Sequence, residues 1–284
     1  MNKKVKNILR YITSIFFAFC LISIILVNVA KSTILDKNYI LNKIEKTGYY
    51  VKVYSYIKEN FKNHIQQSGL DESILENLIS QEKVENDTKL IITNVYNNVN
   101  EKISTDDIKE KLTNSIEEQT RGMLITTNQK EEINKFIDDI CNEYKVGIAS
   151  FEIEKEFYLV INKIEKIVDI LNKISLIGLA VSIIILIYTS IHRPYKFFVF
   201  SGISLLASGA FLTFINIYIN TKVNVGAITI LNDAFSFTFR EVLENILNEI
   251  NSKGIVFFVL GFILILIPTF IHTYIKNKRY LNKQ

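Results

Sequence analysis

The amino-acid sequence predicts an all-α integral membrane protein with four transmembrane helices and a large extracellular helical domain between the first and second spans. Three observations carry that fold class. Of 284 residues, 49% are hydrophobic and 22% charged, at a mean hydropathy of +0.20, too apolar for an ordinary soluble chain and too charged for one wholly in lipid. Four runs, residues 11–30, 174–191, 197–219 and 255–275, are apolar throughout, and each approaches the roughly 20 residues that about 30 Å of hydrocarbon requires. Between the first two runs, apolar residues recur every three or four positions instead of alternating, which is a helical period. With two prolines and ten glycines, collagen-like and linker-rich architectures are excluded.

Residues 1–31 are the N-terminal flank and first span. A basic flank before an apolar run resembles a signal peptide, but signal cores run to about 7–15 residues, and residues 11–30 hold no charge over a full span. Asn28, Val29 and Ala30 make a poor cleavage site, so an uncleaved anchor is expected. Cys20 follows Phe19 instead of a small residue, which argues against a lipid-modified cysteine.

Orientation follows from where the basic residues sit. Lys3, Lys4, Lys6 and Arg10 precede the first span; Arg193 and Lys196 lie between the second and third; Lys276, Lys278, Arg279 and Lys283 follow the fourth, and no Asp or Glu is among them. That pattern places all three segments in the cytoplasm. The other 23 of the 33 basic residues share the opposite side with all 29 acidic ones. The overall charge of +4 is therefore an average over two faces of opposite sign. It is no nucleic-acid footprint, and basic flanks beside a bilayer attract anionic lipid instead. The expected location is the plasma membrane, with both termini cytoplasmic and residues 32–172 and 220–253 extracellular.

The extracellular helical domain, residues 32–172, contains no proline. Ser68-Gly69 before Asp71, Ser104-Thr105 before Asp106-Asp107, and Asn128 with Glu131 three residues on mark breaks between five or six helices. In the last of them Ile153, Phe157, Ile161, Ile164, Val168 and Leu171 form one stripe. Neither proline nor glycine interrupts residues 151–177, so this helix is expected to continue into the second span and end near Ile191. Such a rod would measure about 60 Å.

Residues 173–219 hold the second and third spans, joined through His192-Arg193-Pro194-Tyr195-Lys196 as an antiparallel hairpin. Residues 220–253 form a short extracellular segment whose helix, capped by Asn232 or Asp233, carries Phe235, Phe239, Val242, Leu243, Ile246, Leu247 and Ile250 on one face and is stopped by Gly254. Of these, Phe235, Phe239, Leu243, Ile246 and Ile250 are the candidate amphipathic-helix contacts. Packing on the large domain is favoured over lying on the outer leaflet, because Glu241, Glu244 and Glu249 would be repelled by anionic headgroups. Residues 254–284 are the fourth span and a basic cytoplasmic tail.

No motif assigns a catalytic residue, a metal or a cofactor, and none is expected. Cys20 in a span and Cys141 in the exported domain cannot bridge each other. His64, His192 and His272 cannot act as one metal set; His192 and His272 can approach at the inner surface, but two ligands without a carboxylate or thiolate make a weak site. Asp106-Asp107, Glu117-Glu118, Glu131-Glu132 and Asp138-Asp139 read as solvated helix faces, since neighbours on a helix point apart and no D-x-D-x-D-G loop is present. Ser204 and His272 resemble an intramembrane serine protease pair only loosely, since no glycine follows Ser204 in a Gly-x-Ser-x-Gly pattern and four spans are too few for that fold. Gly202, Ser204, Ser208 and Gly209 are small residues of the kind that let helices approach in lipid, and form a candidate helix-packing face. Tyr49, Tyr50, Tyr54 and Tyr56 form a candidate partner surface.

The expected role is non-enzymatic: an accessory, scaffold or interaction component of the cell envelope acting through the extracellular domain. Its expected partners are the lipid bilayer and another membrane or envelope protein, or a second copy of itself, with no nucleic acid. The order of one span, a large external domain, two spans, a small external piece and a last span is similar to that of mechanotransmission permease subunits of the ABC type. That similarity implies an ATPase partner, which such subunits engage through a cytoplasmic coupling helix; the five residues from His192 to Lys196 leave no space for one. A membrane sensor signalling through a partner is the third expectation.

Overall fold

The computed structural model describes residues 3–75, 77–99, 101–148, 154–223, 225–229 and 233–281. Among these every regular element is helical. Four helices are long and apolar enough to cross a membrane: α1 (Lys3–Ser32), α7 (Glu154–Ser190), α8 (Tyr195–Lys222) and α9 (Asp233–Leu281). Five others lie between α1 and α7: α2 (Lys37–Lys46), α3 (Tyr49–Ser68), α4 (Gln81–Asn97), α5 (Asp106–Gln119) and α6 (Thr127–Ile148). The chain divides into two compact units, a bundle of residues 1–35, 164–228 and 242–284 and a domain of residues 36–163 and 229–241.

Local chemistry sets where the domain's helices start and stop. Asp36 caps α2 by accepting from the backbone N–H groups of Asn38 and Tyr39, and Ser80 caps α4 by accepting from that of Lys83. α3 ends where Gly69 turns into the left-handed region at φ 74°, after which a 3-10 turn covers Glu72–Leu75. The expected breaks at Gly69 and Thr105 are present. At α6 the cap lies two residues before the expected one. Thr126 and Gln129 form the reciprocal box, with the Thr126 N–H donating to Gln129 Oε1 at 2.9 Å and the Gln129 N–H to Thr126 Oγ1 at 3.4 Å.

The domain's core is a single apolar cluster. On α3, Val53, Ile57, Phe61 and Ile65 recur every four residues and are almost wholly buried. They meet Ile137, Ile140, Tyr144 and Ile148 of α6 and Val84, Ile91 and Ile92 of α4, while Ile108, Leu112 and Ile116 bring in α5. Gly147 lets α6 come close to α3, since a Cβ there would stand 2.6 Å from Ile57 Cγ1. A polar chain binds three of these helices: Tyr144 Oη donates to Asp87 at 2.6 Å, Lys83 bridges Asp87 at 3.4 Å and Asp107 at 3.0 Å, and the Lys83 ammonium lies 5.5 Å from the centre of the Tyr144 ring.

The bundle is organised differently. α1 carries a buried face of Arg10, Thr13, Ser14, Phe17, Leu21, Ile25 and Val29, and meets α8 along its length. Ser14 and Ser204 clasp the two helices: Ser14 Oγ donates to the Phe200 carbonyl and Ser204 Oγ to the Ser14 carbonyl, both at 2.8 Å. On α7, Gly178 gives way to Cys20 and Phe16 of α1. The buried Arg10 guanidinium donates to the Thr189 carbonyl at the C-terminal end of α7 and to Asn7, where a cation also suits the helix dipole. At the other end of α1, Lys31 pairs with Asp169 of α7 at 2.7 Å.

Gly254 does not stop a helix. α9 runs as one helix through Gly254 and Pro268 for 49 residues, about 74 Å. Glycine is needed there for space, because a Cβ at Gly254 would lie 3.0 Å from Leu212 Cβ and 3.1 Å from the Gly209 carbonyl oxygen. The segment read as one amphipathic helix is accordingly shared between the units, with residues up to 241 in the domain and those from 242 in the bundle. α7 is shared in the same way and runs from Glu154 to Ser190; Ile161 and Val168 of its expected stripe are buried, Leu171 is exposed, and Ile153 and the Phe157 side chain lie outside the described residues.

Candidate functional site

The sequence-predicted surface of four tyrosines falls apart into core and rim. Tyr49 and Tyr50 are 2% and 4% exposed and belong to the domain core, because helical phase turns them inward with Val53 and Ile57. Tyr54 packs at the edge of that core, and Tyr56, at 48%, is the exposed one. Tyr49 and Tyr50 therefore cannot belong to an exposed surface, and of the four only Tyr56 is exposed, with Tyr54 half-buried beside it. Burial, with Glu85 and Glu45 nearby, pushes the Tyr50 hydroxyl up to about 12, and burial beside Tyr50 raises that of Tyr49 further.

Three of the four small residues of α8 meet two different neighbouring helices. Gly202 and Gly209 face α9: a Cβ on Gly202 would stand 2.8 Å from the Gly261 carbonyl oxygen and one on Gly209 2.5 Å from that of Gly254. Two glycines seven residues apart on each helix thus meet in antiparallel order. Ser204 faces α1 through Ser14, and the fully buried Ser208 donates to the Leu205 carbonyl. The partner glycines Gly254 and Gly261 were legible only as a matching seven-residue spacing.

Of the five amphipathic-helix contacts, Phe235 packs against the domain core and Phe239 stacks on it, with ring centres 6.3 Å apart. In the same unit the Thr238 and Thr47 hydroxyls are 2.8 Å apart, and the Lys52 ammonium lies 4.2 Å from the centre of the Phe237 ring. Ile246 and Ile250 instead join Ile22, Ile25, Val29 and Leu212 in the bundle, and Leu243 is half-buried.

Both cysteines are free and buried. Burial raises the Cys141 thiol above its ordinary range, which makes it a poor nucleophile. Asp107 pairs with Lys83, and Asp138 with Lys109 at 3.0 Å. Among the described residues no group of three or more His, Cys, Asp or Glu side chains is placed to hold a metal ion.

His192 and His272, eighty positions apart, line one cavity of about 740 Å³ in the bundle. The connection between α7 and α8 contributes His192, Arg193 and Pro194, α8 contributes Tyr195, and α9 contributes His272. The Tyr195 and His272 rings stack with centres 4.0 Å apart and planes within 13°. Phe198, Ile263, Ile267, Ile271 and Ile275 supply an apolar wall, and Pro268, which has no N–H to donate to the Leu264 carbonyl, lies in it. No carboxylate lines the cavity among the described residues. Ser204 lines a separate apolar cavity of about 240 Å³ with Ser14 and Tyr11, so the two residues of the weighed protease face different spaces.

Sequence reasoning missed one surface in the domain. Met123 and Leu124, 67% and 101% exposed, project from the connection between α5 and α6 beside an opening of about 450 Å³ lined by Leu70, Ile116, Ile133 and Phe136. Its only signal was an apolar Met-Leu-Ile run directly after Gly122, outside any helical stripe. No protein-family model, curated protein or solved structure matches this chain.

Proposed function

We propose that this chain is a multi-pass plasma-membrane protein with both termini in the cytoplasm and its helical domain outside. In this reading it serves as a non-enzymatic accessory, scaffold or interaction component of the cell envelope. The observation that carries the reading is that two of the four apolar helices, α7 and α9, pass unbroken from bundle residues into domain residues. An unbroken helix transmits a displacement along its axis, whereas a loop absorbs it. The domain therefore works as the part that engages a partner, and the bundle as the part that holds it or responds. Two exposed features offer themselves for contact: the Met123-Leu124 projection, and α9, in whose most apolar stretch only 11% of residues are buried.

Topology is tested first. In a Cys141→Ser background, Glu118→Cys and Lys222→Cys are expected to react with an impermeant thiol reagent on intact cells, and Lys283→Cys only after permeabilisation; the reverse pattern overturns the orientation. Function is tested by purification in mild detergent with mass spectrometry of what accompanies the protein. A reproducible envelope protein supports the role. An ATPase in its place replaces it with the permease reading, a kinase with the sensor reading, and a pure self-complex with a homo-oligomeric scaffold.

A further inference from the structure

The cavity at the start of α8 joins a basic surface to an apolar one. Its rim is formed by His192, Arg193 and His272, and its wall by Phe198, Ile263, Ile267, Ile271 and Ile275, with no described carboxylate to neutralise the rim. From Ile263 to Ile275 the wall follows α9 for about 18 Å, long enough to lie alongside much of an acyl chain. At about 740 Å³ the space is in the range of sites that bury a ligand.

We propose that this cavity is a binding site for an anionic phospholipid, the phosphate held by Arg193 with His192 and His272 and one acyl chain laid along the α9 wall. The proposal rests on the membrane reading above. A soluble peptide would have to bring its polar backbone into hydrocarbon to reach the wall, and a free phosphate would use the rim alone; an amphiphile meets both surfaces. Arg193 presents a planar fork that matches a phosphate's oxygens. Tyr195, stacked on His272, holds that ring at the rim. The sequence places Lys276, Lys278 and Arg279 directly after the wall, where they add to the attraction for an anionic leaflet.

The chain contains no tryptophan, so Phe198→Trp creates a single fluorescent reporter in the wall. In vesicles of phosphatidylcholine with a minor fraction of chain-brominated lipid, brominated phosphatidylglycerol is expected to quench this reporter several-fold more than brominated phosphatidylcholine at the same fraction. Removing Arg193 as Arg193→Gln should lower the relative association of phosphatidylglycerol roughly fivefold, and adding His192→Gln and His272→Gln should bring the two lipids level. Arg193→Lys should keep most of the preference, and Lys3→Gln with Lys4→Gln, which removes two positive charges elsewhere against one in Arg193→Gln, should still keep more of it than Arg193→Gln does. Helix content by circular dichroism checks that each variant is folded. Equal quenching by the two lipids in the Phe198→Trp parent overturns the lipid site. Abolition of the preference by inorganic phosphate at unchanged ionic strength also overturns it, in favour of a free-phosphate site. Quenching by neither lipid sinks the membrane reading itself.

Discussion

In the domain, the described side chains with no exposed surface are apolar or aromatic: Phe61, Ile65, Val84, Ile108, Leu112, Ile140 and Tyr144. In the bundle, Leu186 and Leu212 share that distinction with Ser182, Ser204 and Ser208. On the membrane reading proposed above, the difference follows from the solvent each unit meets. In water, removing apolar area is the driving force, so large residues go inside. In lipid, a leucine gains nothing by leaving the tails for another leucine, and close backbone approach and hydroxyl contacts decide which faces meet. The bundle accordingly leaves Phe270, Ile177 and Phe214 more than 60% exposed, and places glycine where α8 crosses α9.

That contrast can be broken at several points. The largest effect is expected from Gly209→Leu, because even a Cβ meets the Gly254 backbone. The α8–α9 pair should separate, and the protein should lose its monodisperse peak in detergent size-exclusion chromatography while the domain's near-ultraviolet circular dichroism persists. Phe61→Ala empties the centre of the domain, and about 3–5 kcal/mol should be lost in urea unfolding of that unit. If Phe61→Ala leaves the urea unfolding of the domain unchanged, or Gly209→Leu leaves the size-exclusion peak monodisperse, the division between large-residue and small-residue packing fails.

The buried tyrosines sharpen the domain side. Tyr144→Phe removes the donor to Asp87 and should cost about 1–3 kcal/mol. Burial and the Asp87 carboxylate raise the Tyr144 hydroxyl well above its ordinary 10.0, and Tyr50 stands at about 12. In the unfolded chain these groups ionise near 10 while the folded domain keeps them protonated. Their contribution is therefore complete below about pH 10 and is lost as pH rises through their folded values. Urea titrations across the alkaline range, with tyrosinate absorbance as a second signal, should show that decline, and Tyr50→Phe should make it shallower. A decline that begins near neutrality would rule these tyrosines out as its cause.

The smallest effect belongs to the bundle's hydroxyl clasp. Ser14→Ala with Ser204→Ala in a double-mutant cycle should give a coupling near 0.6 and below about 1.7 kcal/mol, the range for hydrogen bonds between helices in lipid. A coupling as large as the cost of Phe61→Ala would mean that polar contacts, and not close side-chain packing, hold α1 to α8.

Much of this was legible from particular residues. Apolar run length marks four helices because crossing hydrocarbon is a length requirement on a single segment. Gly69 ends α3 through its own left-handed backbone, and at the start of α5 the Ser104 hydroxyl accepts from the Asp106 N–H, so both breaks are made by neighbours in sequence. The α6 cap was misplaced because Thr126 with Gln129 and Asn128 with Glu131 satisfy the same spacing, and only the actual first turn separates them. Tyr49 and Tyr50 looked like a surface by their density, whereas one turn of phase relative to Val53 and Ile57 puts them inside.

What the sequence by itself determined is the helical class, the four apolar segments and the breaks made by local caps, since each depends on the chemistry of a few consecutive residues. Tertiary structure alone decided the rest. Glycine is both a helix ender and a helix contact, and at position 254 the choice was made by Gly209 on another helix. His192 and His272 belong to one cavity only because two antiparallel helices return the chain to the same end of the bundle. A residue's local conformation is set by its neighbours in sequence, but its partner is set by where the rest of the chain folds back.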